Sequence, residues 1–200
     1  NYSNGPCGFA YNPGTALSEN YRNYFFVTEF PGKNIRAFRT KPEGAGFKMV
    51  DEHVAHHGLM TTGINFGPDG ALYLADWGNN GWAPHEKGRI MKLDSPRAID
   101  RPLRIQTRKL LGDGFAMRDD TELSRLLAHA DQRVRLESQF ELVKRNASNA
   151  LLTVAKENDS QLARIHAIWG IGQLGRKDQA AIMPLRPLLN DRDPEIQAQF

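Results

Sequence analysis

The sequence predicts a β-propeller fragment, about two four-stranded antiparallel blades, followed by an α-solenoid of helical hairpins. Three observations predict it: composition changes along the chain, a strand–turn series fills the first part, and a helix-pair pattern recurs in the second. Residues 1–115 hold 15 of the 18 glycines, 8 of the 11 prolines and 15 of the 18 aromatics. Aromatics with frequent Gly and Pro turns suit short strands, whereas the Ala, Leu and Gln of residues 116–200 suit helices. Charge divides the same way. Lys and Arg outnumber Asp and Glu by 14 to 11 before residue 116 and balance at 12 each after it. The domains read as 1–110, C-terminal blades of a propeller; 111–120, a linker; and 121–200, helical repeats. Leu111-Gly-Asp-Gly-Phe115 is the expected joint.

The strands follow in order. Cys7–Tyr11 and Tyr24–Glu29 have strand composition. Pro31-Gly-Lys-Asn34 turns the chain into Ile35–Arg39, which alternates apolar and polar residues as a half-buried strand does. Pro42–Gly46 turns it again into Phe47–Asp51. A second set begins with Thr62–Phe66. Gly67-Pro-Asp-Gly70 is a hairpin signal, because Asp-Gly supplies the positive φ of a tight turn. Leu72–Asp76 returns, and the loop Trp77–Lys87 leads to Gly88–Leu93. Four-stranded units in series are the signature of a propeller. In the second part, Asp131, Asp159 and Asp193 recur at spacings of 28 and 34 residues, each after a double Leu (126–127, 151–152, 188–189). Asp is a good N-cap. Val134, Leu162 and Ile196 then open the buried face of each second helix, continued by Ile165, Ile168 and Trp169. Gly175 reads as a helix stop. Two-helix units of this size stack into a solenoid.

Composition excludes several classes. Hydrophobic residues are 40% and charged residues 24%, ordinary for a globular chain. No apolar run reaches the roughly 18–20 residues of a membrane span, and no signal peptide is visible. Asn1 rather than Met opens the chain, which reads as an internal piece of a longer protein. One cysteine, Cys7, excludes an internal disulfide and a Cys-rich zinc site. A net charge of +3 is too small to argue for nucleic acid.

Gly67-Pro-Asp-Gly-Ala-Leu-Tyr-Leu-Ala-Asp-Trp77 followed by Gly88-Arg-Ile-Met-Lys-Leu93 resembles the closing blades of glucose/sorbosone dehydrogenase-like propellers. Tyr24–Glu29 with Asn34–Phe38 fits the preceding blade. The order, propeller end then HEAT-like repeats, is similar to that of membrane-bound dehydrogenase-like secreted proteins, in which a cytochrome c module follows. The resemblance implies a periplasmic or secreted location. It implies pyrroloquinoline quinone and calcium as cofactors of a complete propeller, and haem c in a module outside these residues. Cys7 has no second Cys and no following His, so no haem attaches here.

The candidate chemical residues each carry a bland alternative. His53, His56 and His57 fall between a blade strand and the next one, where a loop can lean over a channel. His57, nearest the next strand, is the candidate catalytic base, since His exchanges protons near neutral pH. Alternatively the three are structural, or simply polar side chains at the surface. His53 and His56 also have metal-pair spacing, but no third ligand is suitably spaced, so no metal site is predicted. Asp76 either ties its blade to loop amides or, with Asn79 or Asn80, holds calcium through oxygen ligands. Trp77 and Trp82 stack on a sugar or cofactor, or pack between blades. Arg89 pairs with a carboxylated cofactor or is an exposed strand charge. His129 and His166 read as surface or groove residues, and Asn146-Ala-Ser148 matches a glycosylation acceptor.

Two functions follow. One is an extracytoplasmic oxidoreductase acting on sugars or related alcohols, with electrons passed to a haem c module elsewhere. The other is a non-catalytic binding or scaffold protein that recognises glycans, or partner proteins through its helical repeats.

Overall fold

The structure, a computed structural model, describes residues 3–78, 81 and 83–199. The chain divides into two compact units, Asn1–Arg108 and Lys109–Phe200.

The first unit holds two antiparallel sheets. Strands β1 (Pro6–Tyr11), β2 (Phe25–Glu29), β3 (Asn34–Glu43) and β4 (Gly46–His57) form one, in that order. Strands β5 (Thr61–Phe66), β6 (Leu72–Asp76) and β7 (Arg89–Leu93) form the other. Both are plain meanders, set by short turns between alternating segments. Gly67–Ala71 closes the β5–β6 hairpin: Gly67 N–H donates to Ala71 O, and Gly70 takes φ +76°. One core joins the sheets. Phe26, Ile35, Leu72 and Leu74 are at most 1% exposed, and the Phe26 and Phe66 rings meet edge to face at 5.7 Å. Gly8 of β1 permits the closest approach, because a Cβ there would lie 2.9 Å from both Ile64 Cγ2 and Thr28 Oγ1. Arg104 in α1 (Pro102–Asp113) is buried against this unit, donating through Nε to Asp69 O at 2.6 Å and through Nη2 to Asp94 at 2.8 Å.

The expected propeller followed by a solenoid does not form. The sheets have four and three strands and remain open, and with the helices they make an α/β fold. Alternation and turn residues specify strands and hairpins, which are local. A propeller also requires four-stranded blades repeated around a channel, whereas here one four-stranded and one three-stranded sheet share a single core and do not close.

The second unit is helical: α2 (Asp120–Leu126), α3 (Gln132–Lys144), α4 (Ser148–Glu157), α5 (Gln161–Gly175) and α6 (Pro194–Gln199). Its core includes Leu123, Leu127, Val134, Leu142, Leu151, Ile171 and Ile196, all fully buried. A regular solenoid fails at the third pair. The segment expected to supply its first helix is a 3-10 run, Met183–Asn190, containing Pro187, which has no N–H to give to a helix ladder. Three helix starts nevertheless share one turn. The backbone N–H of Asp131, Ser160 and Asp193 donates to the side chain two residues earlier: His129 Nδ1, Asn158 Oδ1 and Asp191 Oδ1. Ser160, not Asp159, caps α5, its hydroxyl accepting from Ala163 N–H.

Candidate functional site

The histidines expected on a loop lie on a strand. β4 runs on to His57, leaving only residues 58–60 before β5. His53 Nδ1 is 3.0 Å from Asp51 O, which accepts only, so Nδ1 carries the proton and Nε2 takes a hydrogen bond from Tyr21 Oη at 3.3 Å. Its ring packs on Tyr21 and Tyr24. His56 is half-buried and stacks on His57 with centroids 6.3 Å apart; His57 is exposed at the strand end. The three therefore occupy strand positions. Among the described residues no group of three or more His, Cys, Asp or Glu is placed to hold a metal ion.

Asp76 takes its structural role. The carboxylate, 2% exposed, accepts from Met60 N–H at 3.0 Å and from Arg89 Nε at 3.2 Å. It thereby pins the entry to β5 and the start of β7 to the end of β6. Arg89 is thus a strand residue paired with Asp76. Trp77 donates through Nε1 to Gly81 O at 2.7 Å, and its ring lies edge-on to His85 and Phe30. Asn79, Asn80 and Trp82 lie outside the described residues.

A different constellation stands out in the helical unit. A cleft of about 510 Å³ opens along α3, α5 and the 3-10 run. Pockets of this volume suit small or extended ligands. Its floor is apolar, with Ile168 and Leu185 at 4% and 1% exposure. Its walls are aromatic: Phe140 and Trp169 also line it and remain 46% and 44% exposed. Trp169 is held in place by Nε1 donating to Gln199 Oε1 at 2.8 Å and by an edge contact with the His166 ring at 5.2 Å.

Glycines decide the shape of this cleft. α5 carries three, each costing about 1 kcal/mol against Ala in a helix interior. Packing accounts for two. A Cβ on Gly170 would meet both Leu151 methyls at 3.0–3.1 Å, and one on Gly175 would lie 2.4 Å from Ile182. Gly172 has no such reason, since a Cβ there meets nothing within 4 Å. It lines the cleft and leaves it open.

The polar lining is one-sided. Gln139 is 1% exposed and its Oε1 lies 2.8 Å from Nδ1 of His166, itself 3% exposed. Burial, with Arg135 nearby, pushes the His166 pKa down to about 4, so the ring is neutral near pH 7; facing an oxygen that only accepts, Nδ1 is the protonated nitrogen. Gln139 then offers its amide NH2 to the cleft. Among the described residues, Arg176 supplies the one charge on the lining and none of the lining residues is acidic.

The sequence reading missed this site. It placed Trp169 and Leu162 on a buried face, whereas they are 44% and 47% exposed, and Ala163 is the buried neighbour. It placed His166 at the surface or in a groove, and the ring is buried. Gly172, a glycine inside an otherwise apolar helix, is the signal that pointed there. No family model, curated protein or solved structure matches the chain. No helix among the described residues is long and apolar enough to cross a membrane.

Proposed function

We propose that the chain is a binding module whose helical unit seats an extended segment of a partner protein in the cleft along α3 and α5. The observation that carries this reading is Gly172: a helix-weakening residue with no packing role keeps open a cleft walled by two half-exposed aromatics. Trp169 and Phe140 offer rigid anchoring surface of the kind that dominates recognition energy. Gln173 on the same lining offers a carboxamide to a peptide backbone. The sugar oxidoreductase that the resemblance implies has less support, because His53, Asp76, Trp77 and Arg89 already spend polar groups on neighbours within the first unit.

The test is an array of acetylated, amidated nonapeptides centred on Leu, Phe or Trp. Binders are re-measured against Gly172→Leu. Leucine favours helix and enters open space, so this variant keeps or raises the melting temperature while lowering affinity at least tenfold. Binders that ignore Gly172→Leu, or an array with none, would contradict the reading.

A further inference from the structure

The cleft is chemically lopsided in a way that specifies its ligand. Its charged lining is a single cation, Arg176, exposed and with no ion pair among the described residues. Lys177 follows it in the chain, also exposed. The buried polar group on the lining is Gln139, whose oxygen is committed to His166. Because a carboxamide oxygen only accepts, the 2.8 Å contact places the proton on His166 Nδ1. The orientation of the Gln139 amide is therefore fixed, with its donor end left for the cleft. Gln199, the other carboxamide near Trp169, is spent: Oε1 accepts from Trp169 and Nε2 donates to Glu195.

We infer that the segment bound in this cleft carries a carboxylate, which pairs with Arg176 and accepts from the Gln139 amide, beside an apolar anchor held by Trp169 and Phe140. The inference rests on the reading of the cleft as a peptide site and names the chemistry that site selects. Charge complementarity favours an acid: among the described residues the lining offers donors and a guanidinium and includes no carboxylate, and Glu195 beside it is engaged by Gln199. The end of α5 opposes this, since a helix C-terminus carries about half a negative charge. A full guanidinium at Arg176, with Lys177 next to it, outweighs that. A basic ligand would face Arg176 without a compensating acid on the lining. Gln139 acts as a selector for acceptors, and His166 is a positioning residue that sets which end of the carboxamide it presents.

The experiment uses the whole chain and paired nonapeptides that differ only in Glu or Gln two or three positions from the anchor. For the wild type the Glu member binds about fivefold to tenfold tighter, and the difference shrinks as salt is raised. In Arg176→Gln the pair binds within about twofold; in Arg176→Glu the order reverses. Arg176 is exposed and unpaired, so these variants fold. Equal affinity of the two peptides for the wild type, or a preference that survives Arg176→Gln, would overturn the inference while leaving the cleft in place. Binding of both peptides that is indifferent to Gly172→Leu would overturn the peptide site itself.

Discussion

Gln139 on α3 and His166 on α5 form a buried polar pair, with Oε1 and Nδ1 2.8 Å apart in a surrounding core of Leu and Ile. A lone carboxamide or imidazole there would cost about 1–3 kcal/mol for want of a partner. Each supplies the other, and the pair ties the two helices that wall the cleft.

Burial of His166, with Arg135 nearby, makes stability depend on pH. The folded chain keeps His166 neutral down to about pH 4, whereas the unfolded chain protonates it near 6.5. Between those values the unfolded state binds more protons, so stability falls as pH drops from about 6.5 toward 4. His129 acts in the same direction, its pKa lowered by burial. Urea melts between pH 7.5 and 4.5 are expected to show a loss of roughly 2 kcal/mol from His166. His166→Gln should flatten much of that slope. An unchanged slope in this variant would assign the loss elsewhere.

Asp76 and Arg89 are unequal partners, at 2% and 58% side-chain exposure. Removing the arginine leaves a buried carboxylate without its cation; removing the aspartate leaves a solvated arginine and a lone Met60 N–H. Arg89→Ala is therefore expected to cost about 1–3 kcal/mol despite its exposure, comparable with Asp76→Ala. Adding Asp76→Asn to Arg89→Ala should recover part of that loss. Strict additivity in this cycle, read by chemical denaturation, would show the pair to be uncoupled.

Gly8→Ala tests the joint core of the two sheets. The new methyl meets Ile64 Cγ2 and Thr28 Oγ1 at 2.9 Å and the Ile64 backbone N at 3.2 Å. Backbone yields little, so a loss of about 1–3 kcal/mol is expected from overpacking. A melting temperature equal to that of the wild type would mean the sheets do not pack as closely as described.

Strands and hairpins were legible because their signals are local. Asp-Gly at 69–70 turns where the sequence predicts, and Ile35–Arg39 pairs as its alternation requires. The histidines were misplaced for an equally local reason. Asp51 looks like a turn residue that ends a strand. In the structure it takes φ +53° within a bulge between β3 and β4, and the ladder resumes at His53. Assembly was not legible. Whether sheets close in a ring or pack on each other depends on contacts such as Gly8 with Ile64, far apart in sequence. The same holds for the cleft, whose lining runs from Leu136 to Gln199. Only Gly172 marked it, and its meaning required knowing that nothing lies opposite.

The most direct test of the cleft is nuclear magnetic resonance of the whole chain titrated with the tightest Glu-containing array peptide. The account predicts that the largest shift changes fall on the Trp169 indole N–H, the Gln139 side-chain amide and the backbone of Gly172 and Arg176. Changes centred instead on β4, at His53, His56 and His57, with the Trp169 indole unmoved, would contradict it.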